Sequence, residues 1–337
     1  MTPTVSNATV VLNRSDIRSL IDFKDFLLAM EQVFRLHGGG QTLSTGLLHI
    51  DALDGEFHVK AGGIRETTDN RAYFGVKVNG GFFHNEERYG LPSIQGCILL
   101  FDATTGSPLA LFDSVDITRQ RTAATTTLAA LHLAKKHPQT MTVIGTGRQA
   151  RVHLEGMVRL LEPQRVYVAG RELTKCQRLA DKMSPDLNVP IEATTDVRGA
   201  VRASDIVVTC TASREPLFQS DDVQPGTFIA AVGADAPGKQ ELDPDLLRRS
   251  KIVVDLTIQC IRVGELQHAI GAGLLTPEKV HAELGEIVAR RKPGRLSDDE
   301  IIIFDSTGTA LQDVAAAALI DERAIETSRG ERINLCS

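Results

Sequence analysis

The stretch TVIGTGRQARVHLEGM, Thr142–Met157, constrains the fold of this chain more than any other: an apolar strand runs into a glycine turn and straight on into a helix. Gly145-Thr146-Gly147-Arg148-Gln149-Ala150 has the form G-x-G-x-x-A. The first glycine permits the tight turn, the second lets backbone approach a pyrophosphate, and the small Ala150 lets the helix pack close on its strand. The N–H groups at the helix start then face the phosphates. Alone the motif is weak; here it has the strand before it and the helix after it that the chemistry requires. The rhythm downstream agrees. TMTVIG, RVYVAG, DIVVTC, TFIAAVG, KIVVDL and IIIFDS read as strands, with helical pattern between most of them. Solid apolar runs of this kind suit strands buried on both faces of a parallel sheet. The chain is expected to be α/β, with a doubly wound domain at residues 121–307.

Upstream the pattern differs. Asp16–Gly40 puts Leu20, Ile21, Leu27, Leu28, Met30, Val33 and Phe34 at near-helical spacing and ends on glycines, which predicts one helix. From Leu47 to Ser114 the chain turns to β-rich runs, LLHI, EFHVKAGG, YFGVKVNGGFF, IQGCILLFDATTG and PLALFDS, broken by Gly, Asn and Asp. They read as an antiparallel sheet with turns. RTAATTTLAALHLAKK, Arg121–Lys136, reads as a helix ending in two cations. The segment from Gly308 to Gly330 is one more helix, free to return to the N-terminal sheet. These readings predict a discontinuous α+β domain, residues 1–120 with 308–337. It has too few helices to cover both faces of its sheet.

Composition narrows the function classes. At 337 residues, 42% hydrophobic and 24% charged, the chain can bury a core in about two domains of ~100–200 residues each. Aromatics are 4% and Trp is absent, so the core is expected to be mainly aliphatic. Net charge is −6, with Lys and Arg scattered, which argues against a nucleic-acid surface. Five cysteines without close spacing imply a reducing compartment and no metal framework. The first residues lack a basic region followed by an apolar run, and no apolar segment reaches ~18 residues, so neither secretion nor a membrane span is expected. A cytoplasmic protein is the expectation.

The second strand of the doubly wound domain bears on which dinucleotide is bound. In an NAD binder it ends in Asp or Glu, which accepts hydrogen bonds from the ribose hydroxyls. Here the strand ends at Gly170 and Arg171 follows at once. An arginine there can pair with a 2′-phosphate, so NADP(H) is favoured, with NAD(H) possible. Glu172 could serve as the acid if the turn is shifted.

Several segments together carry a resemblance: FGVKVNGGFFHN (Phe74–Asn85), GLPSIQG (Gly90–Gly96), ITRQRTAAT (Ile117–Thr125), VIGTGRQA, AVGADAPGKQEL (Ala231–Leu242) and FDSTGTALQD (Phe304–Asp313). In their order and spacing the chain resembles the ornithine cyclodeaminase/μ-crystallin family over nearly its full length. The resemblance implies a Rossmann domain, a discontinuous substrate domain and homodimers formed through the latter's sheet. It also implies hydride transfer at the α-carbon of a small imino or amino acid. By the family pattern Lys77 contacts the substrate carboxylate, and Arg121 lies beside cofactor and substrate. A helix-N-terminal arginine would suit the macrodipole poorly, which favours a functional role for Arg121. Asp235, just past the strand TFIAAVG, matches the catalytic acid, and strand C-terminal ends are where ligands bind. An acid beside the reacting carbon can move protons to or from nitrogen. Ser93, Thr211, Val232, Lys239 and Ser306 match cofactor contacts, and Thr307 falls in the same segment as a substrate contact.

Two departures matter. Cyclodeaminases carry a Glu where this chain has His58, and Lys60 follows where the family often has Met. The family's carboxylate-binding Arg near TGLLH is absent, with His49 or Lys60 available to compensate. His58 and Lys60 share a strand face by alternation, and such a pair suits an acidic or small substrate better than a diamine. An NAD(P)H-dependent imino-acid reductase or amino-acid dehydrogenase is therefore preferred to a cyclodeaminase that releases ammonia from ornithine. A purely binding protein is disfavoured by the joint presence of Lys77, Arg121 and Asp235.

Overall fold

The structure, a computed structural model, describes residues 8–65 and 71–335. In chain order the elements are β1 (Ala8–Leu12), α1 (Arg14–Leu20), α2 (Phe23–Gly38), β2 (Gly46–Asp51), β3 (Glu56–Ile64), β4 (Tyr73–Gly81), α3 (Asn85–Tyr89), β5 (Ile94–Asp102), β6 (Pro108–Asp113) and α4 (Ser114–Leu133). They continue with β7 (Thr140–Ile144), α5 (Arg148–Leu161), β8 (Arg165–Ala169), α6 (Leu173–Leu187), β9 (Ile191–Thr194), α7 (Val197–Arg202), β10 (Ile206–Thr209), β11 (Phe228–Ala231), α8 (Pro244–Arg249) and β12 (Lys251–Val254). The last are α9 (Thr257–Val263), α10 (Leu266–Gly271), β13 (Val280–Glu283), α11 (Leu284–Val288), β14 (Ile302–Asp305), α12 (Ala310–Thr327) and β15 (Glu331–Asn334). They divide into two compact units, Met1–Thr122 with Thr309–Ser337, and Ala123–Gly308.

The first unit is built on a sheet of order β15-β1-β6-β5-β4-β3-β2. From β2 to β6 the pairing is antiparallel, as the β-rich runs require. β1 joins it in parallel to β6. The chain's return helix, α12, packs on β3, β4 and β5 and against α2. Glycines on the covered face set its distance: a Cβ at Gly62 would lie 3.1 Å from Ala310 Cβ, and one at Gly75 would lie 2.8 Å from Val314 Cγ2. The opposite face carries Phe74, Val76, Val78, Leu99 and Phe101, all half-buried, with Leu48, Ile50 and Phe57 exposed.

Two helix readings are corrected. Asp16–Gly40 is two helices, because Asp22 caps the second. Its carboxylate accepts from Asp25 N at 3.0 Å while Asp25 accepts from Asp22 N at 2.9 Å, a reciprocal cap that starts a helix and so ends the one before it. α4 begins at Ser114, well ahead of the expected Arg121, with Val115 N donating to Asp113 at 3.1 Å.

The second unit holds a sheet whose strands all run parallel, in the order β13-β12-β14-β11-β10-β7-β8-β9. The chain starts at β7, winds outward through β8 and β9, then returns to β10 on the other side of β7. The switch point therefore lies between β7 and β10, where open α/β sheets bind ligands. β10, β11 and β14 are buried along their whole length. Among the described residues no helix is long and apolar enough to cross a membrane.

Candidate active site

In the second unit the switch point is shaped by Gly145, at φ 127°. A Cβ there would meet Cys210 Sγ at 3.0 Å and Cys210 O at 3.1 Å, so the turn from β7 requires glycine. Thr146 continues the turn and Gly147 is the N-cap of α5, with no side-chain cap on the helix. Arg148 and Gln149 form the first turn, and Ala150 is fully buried against the sheet. Gly145 N donates to Ala169 O at 2.9 Å, and the N–H groups that open α5, which carry no side-chain cap, are the kind of donors that take an anion. His153 braces the helix: one ring nitrogen lies 2.8 Å from Gln149 O and the other 3.0 Å from Thr126 Oγ1. Burial lowers its pKa to about 4, so this histidine is a neutral structural group.

At the next strand, β8 ends at Ala169, and Gly170 and an exposed Arg171 follow. Glu172 sits at the N-cap of α6, and its carboxylate is engaged by Lys175 at 2.7 Å. That leaves the arginine as the charged group directly after the strand tip.

The tips of β10, β11, β12 and β14 are organised by buried acids. Glu241 accepts from Thr209 Oγ1 at 2.6 Å, Thr211 N at 2.6 Å and Gly233 N at 2.8 Å. It thereby joins the loops after β10 and β11, with Val232 N bonded to Thr209 O at 2.9 Å between them. Burial raises the Glu241 pKa, and its hydrogen bonds oppose that. Asp255 accepts from Ser306 Oγ at 3.2 Å, Thr307 Oγ1 at 3.1 Å and Gly308 N at 2.6 Å. Thr307 also accepts from Gln259 Nε2 at 2.9 Å. Asp305 is raised to about 7, chiefly by burial. Asp235 lies beyond β11, 41% exposed at its side chain, and pairs with Lys239 Nζ at 2.6 Å. The loop carrying both is clasped by Gly238 N donating to Gln267 Oε1 at 2.9 Å and by His268 Nε2 on Lys239 O at 2.7 Å.

In the first unit the structure brings together Lys60, Lys77 and Arg121. Lys77 Nζ lies 2.6 Å from Asp313 Oδ2, and Arg121 Nε donates to Asp313 Oδ1 at 3.0 Å and through Nη1 to Gln312. Lys60 stands opposite Lys77 in the β3–β4 ladder. All four charged side chains are 5% exposed or less. Burial lowers Lys77 to about 7; Arg121 and Lys60 push the same way, and Asp313 opposes them. For Asp313 burial acts upward, yet Arg121, Lys77 and Lys60 together hold its pKa below the usual value. Because α4 starts at Ser114, Arg121 lies inside the helix and the macrodipole argument for it fails. What marks Arg121 is its burial against an acid.

His58 and Lys60 share a face, as alternation requires, but their side chains sort into different groups. Lys60 joins the cationic cluster. His58 Nε2 lies 3.1 Å from Glu56 Oε1, and His49 Nε2 lies 3.5 Å from Glu56 Oε2. Of the two residues open to compensate for the absent arginine, Lys60 stands opposite Lys77 and His49 lies at Glu56. Ser93 sits just before β5, its carbonyl accepting from Phe82 N at 2.7 Å. The sequence reading assigned no role to Asp313, Gln312, Glu241 or Asp255. Asp313 closes the segment FDSTGTALQD and Glu241 lies near the end of AVGADAPGKQEL, so the two segments that carried the resemblance were the available signal.

The model of the ornithine cyclodeaminase/mu-crystallin family matches residues 7–328. Among solved structures, an archaeal alanine dehydrogenase dimer with bound NAD is 34% identical, covering 97% of this chain and 99% of that one, with a TM-score of 0.91. The Δ1-pyrroline-2-carboxylate reductase of Thermococcus litoralis, in complex with NADH and L-proline, is 30% identical, covering 96% and 100%, at 0.89. The iminosuccinate reductase of Paracoccus denitrificans, in complex with NAD+, is 31% identical, covering 97% and 99%, at 0.88.

Proposed function

The chain belongs to the ornithine cyclodeaminase/mu-crystallin family, and on that footing we propose that it is an NAD(P)H-dependent oxidoreductase acting at the C–N bond of a small imino or amino acid. The observation that carries this reading is the buried charge of the first unit, where Lys60, Lys77 and Arg121 gather at Asp313. Lys77 and Arg121 share the one carboxylate of Asp313 in a dry place, with Lys60 opposite Lys77, and buried cations so placed suit a substrate carboxylate. Lys77, Arg121 and Lys60 bind that group, and Asp313 with Gln312 fixes the Arg121 fork.

A bound nicotinamide cofactor supplies or accepts the hydride. The switch-point turn suits it: Gly145, Thr146, Gly147, Arg148 and Gln149 would hold the pyrophosphate at the start of α5. Thr211, Val232, Lys239 and Ser306 belong to the same cofactor set by the family pattern, as do Ser93 and Arg121. Asp235 moves a proton to or from the substrate nitrogen, with Lys239 positioning its carboxylate. Thr307, held by Asp255 and Gln259, fixes the end of β14. Arg171, with Glu172 engaged by Lys175, supports NADPH ahead of NADH. The half-exposed apolar face of the first unit's sheet supports a homodimer.

The test is absorbance of the reduced nicotinamide with a panel of substrates: 1-pyrroline-2-carboxylate, pyruvate with ammonium, and oxaloacetate with ammonium. Oxidation of the cofactor with one of them is expected. Ammonia release from ornithine without net change in cofactor would assign the chain to the cyclodeaminases instead.

A further inference from the structure

We propose that His49, Glu56 and His58 form a binding site for a first-row divalent metal of the zinc class, on the outer part of the first unit's sheet. None of the three residues belongs to the group of Lys60, Lys77, Arg121 and Asp313. Its three side chains each offer one ligand atom, and these atoms lie within 4.8 Å of one another.

The strand ladder builds this arrangement. His49 and His58 are directly paired across β2 and β3, and Glu56 precedes His58 by two residues, so alternation puts it on the same face. The two rings stand edge to face with centroids 4.6 Å apart. Each Nε2 turns to a different oxygen of Glu56, at 3.1 Å and 3.5 Å. A tetrahedral zinc with bonds of 2.0–2.1 Å needs its ligand atoms about 3.3–3.4 Å apart; the two nitrogen–oxygen separations bracket that length, one to each oxygen of Glu56, and a small turn of the carboxylate brings one oxygen toward both nitrogens. Two imidazoles and one carboxylate are borderline ligands that suit Zn²⁺ and its neighbours rather than Mg²⁺ or Ca²⁺. Asp51, whose Oδ1 is 3.3 Å from His49 Nε2, or a water can take the fourth position. The side chains of His49, Glu56 and His58 are 26%, 24% and 16% exposed, which leaves an entry path. Among the described residues no cysteine takes part, so cysteine spacing did not signal the site.

The experiment is a titration of the full-length apoprotein with Co²⁺, read by visible d–d absorption, and with Zn²⁺, read by calorimetry. One metal per chain is expected, with ligand-field bands of a four- or five-coordinate ion. Glu56→Gln and His58→Gln should each weaken binding by about tenfold or more, the order lost when even supporting groups of a metal site are removed. His137→Gln, at an exposed histidine of the other unit, should leave affinity unchanged. Circular dichroism melts check that each variant is folded; if one is not, His49→Gln carries the test. Absence of cobalt bands and of zinc heat at 100 µM protein overturns the proposal. So does an affinity that the Glu56, His58 and His49 substitutions leave unchanged.

Discussion

Replacing Glu241 by Gln changes one atom of the clamp at the strand tips and should cost about 1–3 kcal/mol. In the native chain one carboxylate oxygen accepts from Thr209 Oγ1 and Gly233 N, and the other from Thr211 N. An amide offers one oxygen and one NH₂. With its oxygen on the Thr209 and Gly233 side, its NH₂ faces the Thr211 N–H. Turned round, its NH₂ faces the Gly233 N–H, while the Thr209 hydroxyl can rotate to accept. Either way one buried backbone N–H is stranded against a donor, and such a group costs about 1–3 kcal/mol. The bonds that remain also lose the strengthening that an ionised acceptor gives. Relief from burying a charge works the other way, since burial raises the Glu241 pKa, and it keeps the net within that range. At about 2–4 °C per kcal/mol for a domain of this size, the melting temperature should fall by roughly 2–12 °C. Urea unfolding with an unchanged slope measures the loss, and titration with NADPH should show weaker binding because the loops after β10 and β11 are no longer joined. A Glu241→Gln protein within about 0.5 kcal/mol of wild type would refute the argument. That result would mean the acid is carried protonated, a state the amide imitates.

Four further outcomes are expected. Lys77 must be protonated to hold a carboxylate, and its pKa is lowered to about 7, so kcat/KM should fall about tenfold per pH unit above that value; Lys77→Arg, which cannot lose its proton, should flatten that limb. The sign for stability is the reverse: from about 7 up to the ordinary 10.5 the unfolded chain holds a proton that the native one is losing, so this group makes stability rise with pH in urea titrations at stepped pH. Arg171→Ala should weaken NADPH about tenfold to a hundredfold and leave NADH unchanged, and Gly170→Asp should turn the preference to NADH; its Cβ lies 3.2 Å from Cys176 Sγ, a small adjustment, and equal calorimetric affinities in the parent protein would count against the reading. Asp235→Asn should lower turnover by about 10²–10⁴-fold with cofactor affinity nearly intact, measured by steady-state rates beside NADPH titration. Sedimentation should show twice the 36.5 kDa chain mass, and Val78→Glu on the half-exposed sheet face should give the monomer.

The strands that were legible in the sequence are those buried on both faces. TMTVIG, DIVVTC, TFIAAVG and IIIFDS are solid apolar runs because each lies inside a parallel sheet covered on two sides. β9 and β13 were missed because they are its edges: IEAT and VHAE are half-exposed and carry charge or a histidine. β15 is exposed along its whole length and has no apolar signature. The helix break at Asp22 was written in the Asp22/Asp25 pair, but a continuous apolar stripe across it concealed the cap. At the site, Lys77 and Arg121 were marked by the family pattern and Lys60 by its departure from that pattern. Asp313 was not, because its meaning lies in partners on other elements, and a local pattern reports only neighbours three or four residues away. The same holds for Glu241, whose donors come from two loops.

The acid that steadies Lys77 and Arg121 sits on α12, and this fixes when the first unit can be finished. Arg121 and Asp313 are 192 residues apart in sequence, and at ~5–20 residues per second about 10–40 s separate their synthesis. During that interval all of Ala123–Gly308 is synthesised as one uninterrupted piece. The N-terminal sheet, made first, is completed last. A chain cut after Gly308 therefore carries all of its second unit and leaves its oldest strands without Asp313.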